Sequence, residues 1–97
     1  EDIIANDFNV EKAYPNPFNN EIKIPITSNG KEIISAKIYN LKGEFITNIA
    51  TGIISEGKHV LRWSGMNSKN KNAPSGTYLL IIDNEKTFHS QKIILLK

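Results

Sequence analysis

The sequence contains no cysteine. No disulfide can brace the fold, and no thiolate is available to hold a metal or attack a substrate. That absence suits a cytosolic chain and an exported bacterial chain equally, so it leaves the compartment open. An excess of one charge is also missing: twelve basic and ten acidic residues leave a net charge of +2, far from the dense basic footprint of a nucleic-acid binder. Long apolar runs are absent as well. The longest, such as residues 78–82, fall well short of the about 20 residues a membrane-crossing helix needs, so no membrane span is expected. The sequence starts at Glu1 with no basic-then-apolar leader and reads as a piece of a longer precursor.

Catalytic constellations are equally scarce. There is no nucleophile elbow and no conspicuous carboxylate pair, so an enzyme is not expected. His59 and His89 are far apart in sequence and have no Cys, Asp or Glu at ligand spacing, which argues against zinc and places both near the surface of strands. Asn67, Ser68, Asn70 and Asn72 could offer oxygens to calcium, but their loop lacks carboxylates and carries Lys69 and Lys71, which repel a cation. No metal and no cofactor are expected, and the loop reads as an ordinary solvated one.

What is present is the patterning of a small all-β domain. Ninety-seven residues, 39% hydrophobic and 23% charged, suit one cooperative globular unit. Short runs rich in Ile, Val, Tyr and Phe alternate with polar residues and are separated by Gly, Asn and Pro clusters. In residues 20–27, Ile22, Ile24 and Ile26 share one face. Pro25 lies on the other, so this strand is expected at a sheet edge or with that position turned from a neighbour. Residues 33–40 repeat the pattern, with Ile34, Ala36 and Ile38 inward and Lys37 and Tyr39 outward. Leu41, Lys42 and Gly43 then make a hairpin turn. The return strand breaks alternation between Ile46 and Ile49, which predicts a bulge or an early end.

Residues 58–64 put Leu61 and Trp63 on one face, with Trp63 as core anchor. Residues 65–76 read as the longest unstructured stretch, an exposed loop. Residues 77–83 are nearly continuously apolar and are expected to be central, and residues 87–97 form the last strand. With residues 8–14 this makes about seven short antiparallel strands, the pattern of an immunoglobulin-like β-sandwich of two sheets.

Five motifs along the chain carry a resemblance. They are Tyr14-Pro15-Asn16-Pro17-Phe18-Asn19; Ile38-Tyr39-Asn40 with Gly43; Gly57 to His59 with Leu61 to Trp63; Ser75-Gly76-Thr77-Tyr78; and the terminal Lys92-Ile93-Ile94-Leu95-Leu96-Lys97. In this order and spacing the chain resembles the C-terminal sorting domains of the type IX (Por) secretion system. It departs from the pattern at Ser64, where an acidic residue is common, and in a loop rich in Lys and Asn.

The resemblance implies a non-catalytic module that directs an upstream passenger in the same chain across the outer membrane to the cell surface. Its partners would be an outer-membrane translocon and a sortase-like peptidase. Lys92, Ile93, Ile94, Leu95, Leu96 and Lys97 would be the sorting motif, read by peeling from a sheet and pairing with a receptor edge. Tyr14, Pro15, Asn16, Pro17, Phe18, Asn19, Gly43, Gly57, Trp63, Gly76 and Tyr78 would be family structural positions, Phe18 plugging the end of the core. Residues 1–12 are then a linker and lead-in to the first strand, and residues 13–97 the sorting domain. The alternatives are a generic immunoglobulin-like accessory or carbohydrate-binding module of a secreted enzyme, which a row of exposed aromatics would favour, and an assembly protein of a flagellum or adhesin.

Overall fold

The alternating isoleucines settle into two facing sheets. A computed structural model describes residues 8–97, and the linker reading of residues 1–7 lies outside them. Seven strands follow in order: β1 (Phe8–Val10), β2 (Ile22–Ser28), β3 (Glu32–Asn40), β4 (Phe45–Ile54), β5 (Gly57–Trp63), β6 (Gly76–Asp83) and β7 (Phe88–Leu95). All neighbouring strands pair antiparallel. One sheet has the order β1-β2-β5 and the other β4-β3-β6-β7. The chain is thus an all-β sandwich, as its periodicity predicts.

The inner faces are the alternating positions read from sequence. Ile22, Ile24 and Ile26 of β2 meet Ile34, Ala36 and Ile38 of β3 and Leu80 and Ile82 of β6 in one continuous core. The single Trp63 is buried, as expected, and its indole N–H donates to the Met66 carbonyl at 2.9 Å, which satisfies the one polar atom a buried tryptophan carries.

Three local expectations are sharpened by the packing. β2 lies in the middle of its sheet, not at an edge. Pro25 is tolerated because β1 ends at Val10, opposite Ile26. At position 25 the strand needs only its carbonyl, which accepts from Glu11 N–H at 3.0 Å. β4 does not end early. Its ladder with β3 shifts register at two places, between Ala36 and Lys37 and between Ile38 and Tyr39, and the residues skipped on β4 are Ile49 and Ile46. The two isoleucines that break alternation are therefore bulge residues, and both pack against the core.

The stretch 65–76 is not unstructured. Asn67 Oδ1 accepts from the amides of Lys69 and Lys71, Met66 bridges Asn72, and Ala73 is buried with its N–H on the Gly65 carbonyl. Its Asn and Lys content gave the composition of a loop while its order comes from an Asx-type turn.

β6 is central, between β3 and β7. Tyr78 opens its inner face, buried among aromatic neighbours, with its hydroxyl donating to the Pro74 carbonyl. Burial pushes the Tyr78 phenol above its ordinary value. The folded state thus holds this proton more tightly than the unfolded chain. The associated stability is whole below the unfolded value of about 10 and is lost as pH rises through the higher folded value. Urea-unfolding midpoints are expected to fall in alkali more steeply for the natural chain than for Tyr78→Phe. At neutral pH the same variant is expected to lose about 1 kcal/mol with its hydrogen bond.

Candidate functional site

The motifs scattered through the sequence meet at one end of the sandwich. Ile22 pairs with Trp63 in one sheet, and Asn40 pairs with Tyr78 and Gly76 with Leu95 in the other, so these residues share a level. Phe18, Trp63 and Tyr78 form an aromatic chain across it: Phe18 to Trp63 is 5.5 Å between centroids, and Trp63 to Tyr78 is 5.2 Å, edge to face. Contacts of this geometry contribute about 0.5–1.5 kcal/mol each beyond area burial. Gly43 lies in the β3–β4 turn at the same end. Gly57 pairs with Ser28 at the opposite end and takes no part in the cluster.

β7 is the edge strand of the four-stranded sheet, and its alternation divides the terminal motif in two. Ile93 and Leu95 are fully buried, and both belong to the core. Lys92, Leu96 and Lys97 are exposed, Leu96 by 53%, and Ile94 is half-buried on the outer face opposite Thr77. Sequence alone treats these six residues as one unit. The pleat turns two of them into the core and leaves the other side chains facing outward.

The free edge of β7 is not bare. Asn16 Oδ1 accepts from Ile94 N–H at 2.9 Å while Asn16 Nδ2 donates to the Lys92 carbonyl at 3.0 Å. Two residues on, Phe18 N–H donates to the Ile94 carbonyl at 2.9 Å, and the Phe18 carbonyl accepts from Leu96 N–H at 2.8 Å. The Phe18–Leu95 bridge is parallel. Upstream, the Gln91 side chain donates to the Glu11 carbonyl at 2.7 Å and accepts from Ala13 N–H at 2.9 Å. Residues 11–18 therefore lie along β7 from Gln91 to Leu96. The segment that holds the Pro-Asn-Pro motif is the partner of the terminal motif, through pairings 76 to 80 residues apart that no local pattern could reveal.

The tip of β7 is held from the other side by the 65–76 loop. Lys97 N–H donates to Ser75 Oγ at 2.8 Å and Lys97 Nζ to Asn72 Oδ1 at 2.9 Å. Gly65 packs against this tip: a Cβ there would lie 3.1 Å from Lys97 Cε and 3.2 Å from Leu95 Cδ1, and the residue has φ +81°. Gly65 and Gln91 carry no site signal in the sequence, and Ser75 and Asn72, read there as a motif member and a loop oxygen, gain their contacts with the terminal residues only when the chain ends are brought together.

Lys12, Ala13, Tyr14, Asn16, Gln91 and Lys92 line an open groove of about 600 Å³ over the seam between the two segments. Among the described residues no group of three or more His, Cys, Asp or Glu converges; His59 and His89 lie on strands of different sheets. The exposed aromatics Tyr14, Phe45 and Phe88 sit at separate places, with no row among them.

Gly65 and Gly43 offer a controlled comparison. Both have left-handed φ, but a Cβ at Gly43 meets nothing within 4 Å. Gly43→Ala is expected to lose roughly 1–2 kcal/mol from backbone strain alone. Gly65→Ala should lose more because it also crowds Leu95, a difference readable in urea midpoints of the two variants.

Residues 12–96 match the family described as the secretion system C-terminal sorting domain. Among solved structures, the chain is similar to part of PorZ, an essential bacterial surface component of the type-IX secretion system of Porphyromonas gingivalis: TM-score 0.63, 17% identity, 91% of this chain and 11% of that one. It is also similar in fold to part of the Pseudomonas fluorescens alkylpurine DNA glycosylase AlkC, solved bound to DNA containing an abasic site analog: TM-score 0.52, 11% identity, 94% of this chain and 31% of that one. At such identities the likeness is one of fold. No curated protein matches the sequence. With the match spanning residues 12–96, the chain belongs to the family of secretion system C-terminal sorting domains.

Proposed function

We propose that this domain is the C-terminal address of a larger secreted protein, carrying an upstream passenger through the type IX secretion system to the outer membrane and cell surface. It does so without catalysis of its own. The partners are the outer-membrane translocon and the sortase-like peptidase of that system. The sorting domain proper is residues 13–97, with residues 1–12 leading into it from the passenger; the first sheet also draws on Phe8–Val10.

One observation carries the reading: residues of the Tyr14–Asn19, Leu61–Trp63 and Ser75–Tyr78 motifs converge on the terminal strand. The aromatic chain of Phe18, Trp63 and Tyr78 closes the core behind it, Asn16 and Phe18 line its edge, and Ser75 holds its last residue. The outward residues Lys92, Leu96 and Lys97 are then presented at a fixed spacing on a rigid support, the arrangement a recognition surface needs.

Deleting residues 92–97 would mix signal loss with core loss, because Ile93 and Leu95 go with them. The cleaner variant is Lys92→Ala/Leu96→Ser/Lys97→Ala in the full precursor, which leaves the buried pair in place. It is expected to fold, with an unfolding free energy within about 1 kcal/mol of the natural chain, and to accumulate in the periplasm. Cell fractionation reads the outcome. Undiminished surface delivery by the folded triple variant would overturn the assignment of these side chains to sorting.

A further inference from the structure

An edge strand normally exposes alternate N–H and C=O groups, and here they are engaged from Lys92 to Leu96. The groups that cover them are unusual in origin. Four bonds face the edge of β7: a donor for Lys92 C=O, an acceptor for Ile94 N–H, a donor for Ile94 C=O and an acceptor for Leu96 N–H. Phe18 supplies the last two with its main chain. Asn16 supplies the first two with its side chain, whose carboxamide is the same chemical group as a peptide bond. The pair of bonds also fixes the orientation of that carboxamide, since a flipped amide would set N–H against N–H. Asn16 stands between Pro15 and Pro17, neither of which has an N–H to offer a ladder. The segment is therefore a mock strand, two residues deep, completed by one side chain. A true β-strand would hold this edge with a continuous main-chain ladder over five or more residues.

We propose that the outer edge of β7 is an interaction surface for an extended main-chain segment of a protein of the secretion machinery, and that residues 16–18 are its displaceable cover, hinged on Tyr14, whose main chain pairs with Lys23 of β2. The inference rests on the sorting role assigned to β7 and adds how that strand becomes readable. Lifting the cover exposes four backbone groups already held in extended geometry, and an incoming strand replaces the bonds of Asn16 and Phe18 one for one. The inner edge of β7 stays paired with β6 throughout, while Phe18 leaves its buried place beside Trp63, a loss the incoming segment must offset. While the cover is down, the edge is closed to indiscriminate strand pairing.

Residue-resolved amide exchange on the 97-residue chain reads the cover directly. The amides of Phe18, Ile94 and Leu96 report on it, while those of Ile93 and Leu95 report on the β6–β7 ladder. The expected result is that the first set exchanges faster than the second, and that Asn16→Ala speeds Ile94 a further roughly tenfold, the scale of one or two lost hydrogen bonds, while leaving Ile93 and Leu95 unchanged. If Asn16→Ala fails to fold, Asn16→Asp serves. It keeps the acceptor for Ile94 and loses only the donor to Lys92, and it should give a smaller increase of the same pattern. Exchange of both sets at one common rate would mean a single cooperative unit with no cover to lift, and would overturn the proposal.

In the secreting cell, a photo-crosslinking residue at Leu96 of the full precursor should capture a protein of the secretion machinery, with a several-fold higher yield in Asn16→Ala or Asn16→Asp. A lower yield in the folded variant, or no adduct in either form, would sink the proposed surface. The sorting reading fails by a different sign, normal delivery of the Lys92, Leu96 and Lys97 triple variant.

Discussion

Everything at the functional end of this domain depends on how the outer edge of β7 is satisfied. A strand at the border of a sheet has buried side chains on one face and unpaired peptide groups along one side, and the two demands must be met together. Ile93 and Leu95 meet the first by entering the core. Asn16 and Phe18 meet the second, with Phe18 doing both because its side chain is buried beside Trp63 while its main chain pairs with β7. Loss of that one residue would open the core and the edge at once, which is why the Pro-Asn-Pro-Phe sequence and the terminal strand cannot be understood separately.

The other edges are managed by different means. β4, the opposite border of the same sheet, carries two bulges that distort its free side. The bulged Ile46 turns its carbonyl to accept from Ser68 N–H at 2.9 Å, so the irregular strand also anchors the long loop. Arg62 of β5 pairs across the sheet with Glu21 at 3.6 Å, an exposed pair worth little to stability. Against these fixed solutions, the cover on β7 is the one made partly of a side chain, and β7 is the strand that carries the terminal Lys92–Lys97 motif.

Much of this was legible before any coordinates. The isoleucine alternation in β2 and β3 gave their inward faces residue by residue, because a period of two has one solution when one face must be buried. The mismatch at Ile46 and Ile49, read as a bulge or an early end, falls where the ladder has two bulges, and the Leu41-Lys42-Gly43 turn lies where it was read, with Gly43 at φ +86°. Order in the 65–76 loop was not legible. Its Asn and Lys residues have turn chemistry, but whether a turn is held depends on what it packs against, here the Trp63 indole, the Ile46 bulge and the tip of β7. Pro25 was read as a signal of an edge or of a position turned from a neighbour because a missing donor is a local fact, whereas the end of β1 one position before Pro25 is not.

The sequence by itself determined the two-sheet architecture, the identity of the core positions and, through the order of its motifs, the family. Those properties follow from periodicity and turn chemistry, which act over a few residues. Only the tertiary structure decided that the terminal motif splits into two buried and several outward side chains, that Asn16 stands in for a strand, and that Gly65 must be free of a Cβ. These depend on contacts between residues about 30 to 80 positions apart, and the closing of such distances is a property of the packed sandwich that no short segment encodes.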